Sequence, residues 1–227
     1  MVVEGVPITY TPDQFPEIYD ILNNPSSALV VDPVSASLGL NLGAMGFVGK
    51  QRGDEGKGTE AYNAIHGNHV NGEPGVAVKI GGGPGAGHEF IPEGEAEIVF
   101  RLLPAAVDSS WKQVLGRGVL AHPGILVQEI ELMENRGYDI SSNRVMIDGA
   151  AFLTWEAHAA RDAAEEQQRG DKKIGTTKSG VGPAESDRVA RKGLRISDLQ
   201  LSPEALREKV AEEVDRQNRI LDSLDAE

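Results

Sequence analysis

Residues 46–58 read Gly-Phe-Val-Gly-Lys-Gln-Arg-Gly-Asp-Glu-Gly-Lys-Gly, a short β-prone run that leads into a glycine-dense loop. Glycines let a backbone approach a ligand closely, so a strand that feeds such a loop, with a lysine at its end, is typical of a phosphate-binding turn. The Walker pattern G-x-x-x-x-G-K-[ST] is not met, because Gln51 stands at the first glycine position and Gly58 at the hydroxyl position. The loop carries an acid pair instead, Asp54 and Glu55, and such a carboxylate can bind a metal or accept a proton. A polar turn without a ligand is the alternative interpretation.

A second strand-to-loop unit follows closely along the chain. The β-prone run 75–80 leads into residues 81–88, which read Gly-Gly-Gly-Pro-Gly-Ala-Gly-His. A histidine at the end of a rigid turn is the usual acid or base near neutral pH, whereas a lone histidine is more often structural. The neighbouring phosphate-type loop favours a catalytic role for His88.

A third loop, residues 174–195, concentrates hydroxyl groups, backbone donors and cations. It begins Ile-Gly-Thr-Thr-Lys-Ser-Gly-Val-Gly-Pro and ends Asp-Arg-Val-Ala-Arg-Lys-Gly-Leu-Arg. Such a set can bind a monophosphate through charge-assisted hydrogen bonds. A solvated basic loop that balances an acidic protein is the alternative.

The order of predicted elements indicates the fold class. Further strands are predicted at residues 97–103, 113–120 and 144–147, and a helix at 123–136 begins with a proline and stops before Gly137. A strand, a helix and a strand in succession favour parallel pairing. The predicted class is therefore α/β, with a mainly parallel central sheet flanked by helices. Other helices are predicted at residues 152–169 and 203–227.

Composition excludes several function classes. The 227 residues carry 22 Lys plus Arg against 35 Asp plus Glu, a net charge of −13, which disfavours nucleic acid or an anionic membrane as partner. The absence of cysteine excludes disulfides and cysteine-based sites. No run approaches the ~18 apolar residues of a membrane span, and no signal peptide is recognisable at the N-terminus. We therefore expect a cytoplasmic protein.

All three loops resemble the motifs of one family, the adenylosuccinate synthetases. Residues 49–58 match its G-x-Q-[WL]-G-D-E-G-K-G signature except at one position, and residues 86–88 match the end of its G-G-x-N-A-G-H stretch. Residues 174–195 are similar to its I-G-T-T-x-[RK]-G-I-G-P…D-K-x-x-R-x-G-[LI]-R block. Because the motifs occur in the family order between about residues 46 and 199, the chain is identified as a member with the family's P-loop-like fold.

The resemblance implies a reaction and a set of site residues. The reaction joins IMP and L-aspartate at the expense of GTP, with Mg²⁺, and gives adenylosuccinate, GDP and phosphate, a step of purine (AMP) biosynthesis. Asp54 and His88 would be catalytic, and Asp54 with the Gly87 carbonyl would bind Mg²⁺. Thr177 would hold the IMP phosphate, and Arg191 would reach the IMP of the neighbouring subunit of a homodimer. The remaining nucleotide-binding positions implied are Gly53, Glu55, Gly56, Lys57 and Gly58.

Two departures from the family motifs fall in the acceptor loops. Gly85 stands where the family has an asparagine that contacts the nucleotide, and Ser179 replaces a basic residue, which Lys178 can offset. Family members also continue into a region with an N-K-x-D guanine-reading motif, which these 227 residues lack. One alternative is a nucleotide-binding half without independent activity, which a partner chain completes. Another is a viral-type variant with a guanine nucleotide as acceptor, which the presence of Asp54 weakly disfavours.

The predicted domain organisation follows the extent of this resemblance. Residues 1–45 form an N-terminal extension of unknown role, with a helix from Thr11 and a strand at residues 28–34. Residues 46–200 form the synthetase-like nucleotide-binding domain, and residues 201–227 a charged C-terminal helix. The other histidines and the tryptophans are interpreted as structural or solvated: His66 and His69 in a polar loop, His122, His158, Trp111 and Trp155.

Overall fold

A computed structural model describes residues 56–66, 75–107, 111–141 and 143–225. The predictions for residues 1–45, for Gly53, Asp54 and Glu55, and for His69 lie outside these ranges. The described helices are α1 (Lys57–His66), α2 (Pro123–Asn135), α3 (Glu156–Gln168), α4 (Val181–Val189) and α5 (Pro203–Asp225). The described strands are β1 (Val76–Gly82), β2 (His88–Phe90), β3 (Ile98–Phe100), β4 (Lys112–Ala121), β5 (Val145–Ile147) and β6 (Phe152–Leu153). Short 3₁₀ turns cover Gly170–Lys172 and Ile196–Gln200.

The central sheet is parallel, as predicted. Its strand order is β1-β4-β5, and β6 pairs in parallel with the last two residues of β4. Helix α2 connects β4 to β5, as a parallel pair requires a crossover. The α/β class is therefore confirmed. The strand predicted at residues 97–103 is shorter, however, and its β3 pairs antiparallel with β2 in a separate ribbon.

The main core lies between the sheet, the ribbon and α2. Strand β5 is apolar and buried throughout, and β4 is buried over most of its length although it includes Gln113 and Arg117, because both faces of a parallel sheet are covered. Phe100, Leu115 and Val145 are fully buried and pack with Met133 of α2. On the other side, Ala184 of α4 packs with Leu120 and Phe152. Helix α4 therefore lies over the end of β4, close to the glycine loop that follows β1.

Three local predictions are wrong. Residues 152–153 form β6 rather than the start of a helix, because they pair with Leu120 and Ala121 of β4. Residues 173–195 are not all loop: α4 occupies the middle, with a proline in its first turn where the missing N–H costs no hydrogen bond. His66 ends α1 instead of lying in a polar loop, and its ring stacks on Tyr62 with centroids 4.0 Å apart.

Helix α3 packs against both α4 and the 23-residue α5. Within the described ranges, no helix combines the length and the apolar character that a membrane span requires.

Candidate active site

The end of the first loop lies directly against the strand that begins with His88. Gly56 has a φ of +64° and α1 starts at Lys57, so the loop turns sharply into the helix. A Cβ on Gly58 would lie 2.6 Å from the Glu89 carbonyl oxygen and 3.0 Å from the His88 carbonyl carbon. Only glycine fits this close approach. The amino end of α1, where N–H groups attract anions, is thereby placed beside His88.

His88 is held by the chain segment that follows β3. Its Nε2 lies 2.6 Å from the carbonyl oxygen of Leu103. A carbonyl oxygen only accepts hydrogen bonds, so Nε2 carries a hydrogen. Burial, followed by the charge of Lys79, lowers the pKa of His88 to about 4, although the carbonyls of Leu103 and Ala86 favour the charged ring. Without a ligand, His88 is therefore neutral near pH 7.

The segment that follows β3 is also bound by a buried carboxylate. Glu129 of α2 is 5% exposed and accepts hydrogen bonds from the amides of Arg101 at 2.5 Å, Leu102 at 3.2 Å and Leu103 at 2.8 Å. Lys79 of β1 donates to the carbonyl of Arg101. Burial lowers the pKa of Lys79 to about 8, which the charge of Glu129 partly offsets. His88 is thus anchored to a segment that is fixed by a buried carboxylate, Glu129, and a partly buried lysine, Lys79.

The sequence interpretation missed Glu129. Its signal is its spacing, since it lies three residues after Leu126 and four before Met133, which are both buried. A charged residue on the apolar face of a helix is unusual unless it is paired or hydrogen-bonded.

The second and third loops meet where β1 and β4 end. A Cβ on Gly85 would lie 2.7 Å from the hydroxyl oxygen of Thr177 and closer still to that of Ser179. The hydroxyl oxygens of Thr177 and Ser179 are 2.6 Å apart and share a hydrogen bond. At this approach, the asparagine side chain expected from the family motif would displace both hydroxyls. The two departures, Gly85 and Ser179, are therefore in contact.

Gly87 and Arg191 have different surroundings. Gly87 is exposed immediately before β2 and next to His88. Arg191 is exposed at a φ of +58°, just beyond the end of α4, whereas Thr177 precedes the start of that helix. A nine-residue helix is about 13 Å long, so the structure does not bring Arg191 and Thr177 together within one chain.

A second polar cluster lies between α3, α4 and α5. His158, Asp187 and Glu213 are buried and close enough to share a metal ion in principle. The carboxylates already receive hydrogen bonds from Arg216 and Gln217, with Arg216 Nη2 2.5 Å from Asp187 and 2.6 Å from Glu213. We interpret the cluster as an ion-pair network that joins three helices. A structural role for His158 fits this arrangement.

Comparisons with known proteins point to one family. The family described as adenylosuccinate synthetase matches residues 47–227. The adenylosuccinate synthetase of Chlorobium chlorochromatii is 39% identical over 176 residues, which cover 77% of this chain and 38% of that protein. Adenylosuccinate synthetase 1 of Pseudoalteromonas translucida is 39% identical over 175 residues, with coverage of 77% and 38%.

A solved structure gives the same result for the fold. The structure of fully ligated adenylosuccinate synthetase from Plasmodium falciparum superposes with a TM-score of 0.67 at 27% identity, over 77% of this chain and 39% of that one. The chain spans about two fifths of the length of each of these relatives.

Proposed function

Since this chain belongs to the adenylosuccinate synthetase family, we propose that it takes part in the family's reaction: GTP, IMP and L-aspartate give GDP, phosphate and adenylosuccinate. The main observation in support of this proposal is that parts of the three loops lie close together. The amino end of α1 lies against the strand of His88, and the glycine loop before that strand contacts Thr177 and Ser179 of the third loop. This proximity supports the proposal that the three loops bind two phosphate-bearing ligands at one end of the parallel sheet, where α/β folds bind ligands. We also propose a cytoplasmic location.

The proposed chemistry activates the purine oxygen as a leaving group. Asp54 takes the N1 proton of IMP, and O6 attacks the γ-phosphorus of GTP. The O6–P bond forms while the bond between phosphorus and the GDP oxygen breaks. The amine of aspartate then attacks C6, the C6–O6 bond breaks and phosphate leaves, and the amine loses a proton.

Residues of the first two loops stabilise the charge that develops during this transfer. Lys57 and the amino end of α1 face negative charge at the phosphates, as preorganised donors do in phosphoryl transfer. In the complex His88 is charged and donates from Nδ1 to the oxygen that leaves with GDP, because its Nε2–H is bound to the Leu103 carbonyl. Because nearby anions raise the pKa of an imidazole, bound phosphates oppose the burial that keeps His88 neutral. Anchorage at Leu103 fixes the ring for this role.

Magnesium fits the oxygen donors that the family motif assigns to it. The carboxylate of Asp54 and the carbonyl of Gly87 are hard ligands of the kind that Mg²⁺ prefers, and Gly87 is exposed beside His88. The bound ion would neutralise charge on the phosphates. Gly53, Glu55, Gly56 and Gly58 complete the proposed phosphate-binding turn.

The acceptor side is assigned to the third loop. Thr177 binds the IMP phosphate, and Arg191 extends to the IMP of a second copy in a homodimer. The position of Arg191 beyond the far end of α4 supports a contribution outside its own site.

Two alternatives are tested beside this proposal. One is a nucleotide-binding half that works with a partner chain. The other is a guanine nucleotide as acceptor, which is tested because Gly85, in contact with Thr177 and Ser179, replaces a nucleotide-contacting asparagine of the family motif.

One experiment separates these functions. Calorimetry with Mg²⁺ measures binding of IMP, GMP and GTP to the chain and to Asp54→Ala and His88→Ala, and an absorbance assay follows adenylosuccinate. Turnover that both substitutions abolish supports the enzyme. IMP binding without turnover supports the half-site, and preference for GMP over IMP supports the variant acceptor. Absence of binding by every nucleotide contradicts all three.

A further inference from the structure

Helix α3 carries a stripe of buried polar side chains where an amphipathic helix normally carries apolar ones. His158, Asp162 and Glu166 are 1%, 5% and 3% exposed and are the buried residues of this helix. They are spaced four residues apart, so they lie one above another on the same face. Buried polar groups at this spacing require partners.

Both carboxylates of the stripe bind backbone amides of the third loop. Asp162 Oδ2 accepts from the Gly180 amide at 3.1 Å, and Glu166 Oε1 accepts from the Gly175 amide at 2.6 Å. The second oxygen of Glu166 is paired with Arg169 at 2.8 Å. The segment 175–180 is therefore tied to α3 at both ends.

Gly180 also brings the loop backbone against the helix backbone. It adopts a φ of +75°, and a Cβ there would lie 2.6 Å from the Ala159 nitrogen. A side chain at this position would collide with backbone that cannot move independently. The carboxylate of Asp162 accepts from the amide of Gly180, which is buried here.

Between the two tied glycines lies the part of the loop that faces the second loop. Thr177 is exposed and shares a hydrogen bond with Ser179, which abuts Gly85. Lys178 adopts a φ of +53°, a conformation that non-glycine residues hold only when the surrounding structure imposes it. A segment whose ends are already fixed loses less conformational entropy when it binds a ligand.

We propose that Asp162 and Glu166 are positioning residues that hold segment 175–180 in the shape that binds the acceptor's phosphate group. They act through the amides of Gly180 and Gly175 and do not touch the phosphate. This inference rests on the proposed function, in which Thr177 binds the phosphate of IMP.

Paired substitutions distinguish this role from packing. Asp162→Leu fills the space without an acceptor, whereas Asp162→Asn keeps a carbonyl oxygen for the Gly180 amide. Glu166→Met and Glu166→Gln form the corresponding pair for Gly175. Glu165→Gln is the matched control, because Glu165 is on the same helix and pairs with Arg161 within it and with Arg169 just beyond its end.

Two readouts are measured on the full chain: the affinity for IMP by calorimetry, and the exchange rates of the Gly175 and Gly180 amides by NMR. We expect Asp162→Leu and Glu166→Met to bind IMP about tenfold more weakly and to speed exchange of the affected amide about tenfold, the effect of one lost hydrogen bond. The Asn, Gln and control variants should stay within about twofold of wild type for both quantities.

The outcomes separate the two proposals. Equal IMP affinity within each pair, or unchanged amide exchange in the Leu and Met variants of a chain that binds IMP, overturns the positioning role alone. If the wild-type chain binds no IMP, the proposed function is overturned, and the phosphate-binding purpose of the loop falls with it.

Discussion

Glu129 and Asp187 are equally buried carboxylates with opposite electrostatic surroundings. Glu129 is 5% exposed and bound by three neutral backbone amides, whereas Asp187 is 4% exposed and bound by two guanidinium groups and the Gln217 amide. Burial raises the pKa of Glu129, and the amides and Lys79 offset this effect only in part. Burial also acts to raise the pKa of Asp187, but hydrogen bonds from His158, Arg216 and Gln217 hold it below its usual range.

The difference shows what each carboxylate does in the fold. At the second loop, Glu129 fixes backbone geometry beside His88 at an electrostatic cost. Between α3, α4 and α5, Asp187 forms attractive pairs that join helices. Hydrogen-bonding amides orient a charge, whereas cations also compensate it.

The largest effect is expected from breaking the network around Asp187. Asp187→Ala leaves Arg216 and Arg161 without their shared carboxylate, and loss of one partner from a buried pair costs about 3–5 kcal/mol. Urea unfolding measures the loss of unfolding free energy. The control is Glu185→Ala, which removes a half-exposed pair with Arg188 on the same helix and should cost less than about 1 kcal/mol. Similar losses of unfolding free energy in Asp187→Ala and Glu185→Ala would show that the Asp187 network contributes no more stability than a half-exposed ion pair.

A smaller effect is expected at Glu129, where the acceptor matters more than the charge. Glu129→Leu leaves the buried amides of Leu102 and Leu103 without partners, which costs about 1–3 kcal/mol. Glu129→Gln keeps one acceptor and removes a poorly compensated charge, so it should cost less than about 1 kcal/mol. Urea unfolding at pH 7 makes the comparison, with the exposed Glu131→Gln as control. A Gln variant as unstable as the Leu variant would show that the charge is required.

The two carboxylates should also give stability opposite dependences on pH. The pKa of Asp187 is lower in the folded state than in the unfolded chain, where it is about 3.9. Ionised Asp187 therefore stabilises the fold at pH values above about 3.9, and this contribution is lost as pH falls toward the lower folded-state pKa. The raised pKa of Glu129 makes its ionised form a cost that grows as pH rises above the unfolded value, near 4.3.

Unfolding free energies measured between pH 3 and 7 test these signs. As pH falls, the unfolding free energy of wild type should lose its advantage over that of Asp187→Asn. Over the same range, the unfolding free energy of wild type should rise relative to that of Glu129→Gln. Parallel curves for all three chains would rule out the assigned difference between the two sites.

The smallest effect concerns Lys79, a cation that acts on Glu129. Lys79→Met should raise the pKa of Glu129 further, because the positive charge of Lys79 favours the ionised carboxylate. Carbon-13 NMR of labelled glutamate measures this pKa directly. Arg144→Met is a control on another segment, where the pKa of Glu129 should not change. An unchanged pKa in Lys79→Met would mean that the amides alone set the ionisation of Glu129.

Sequence patterns identified much of the sheet and the three loops. The strand predicted at residues 113–120 is β4 and the helix at 123–136 is α2, each within one residue at either end. A proline start, a glycine stop and a run of β-prone residues are local signals, so they need no partner to be recognised. The loop motifs likewise depend on residue type and spacing, and they identified the family before any geometry was known.

The sequence by itself determined the parallel α/β class, the family and the loops that carry its chemistry. Only the tertiary structure decided that Phe152 and Leu153 join β4, that Gly85 faces Thr177 and Ser179, and that Glu129, Asp162 and Glu166 are buried. A buried carboxylate is stable only when its donors are in place, and those donors lie up to 28 residues away in the chain. Local periodicity cannot reveal partners that folding alone brings together.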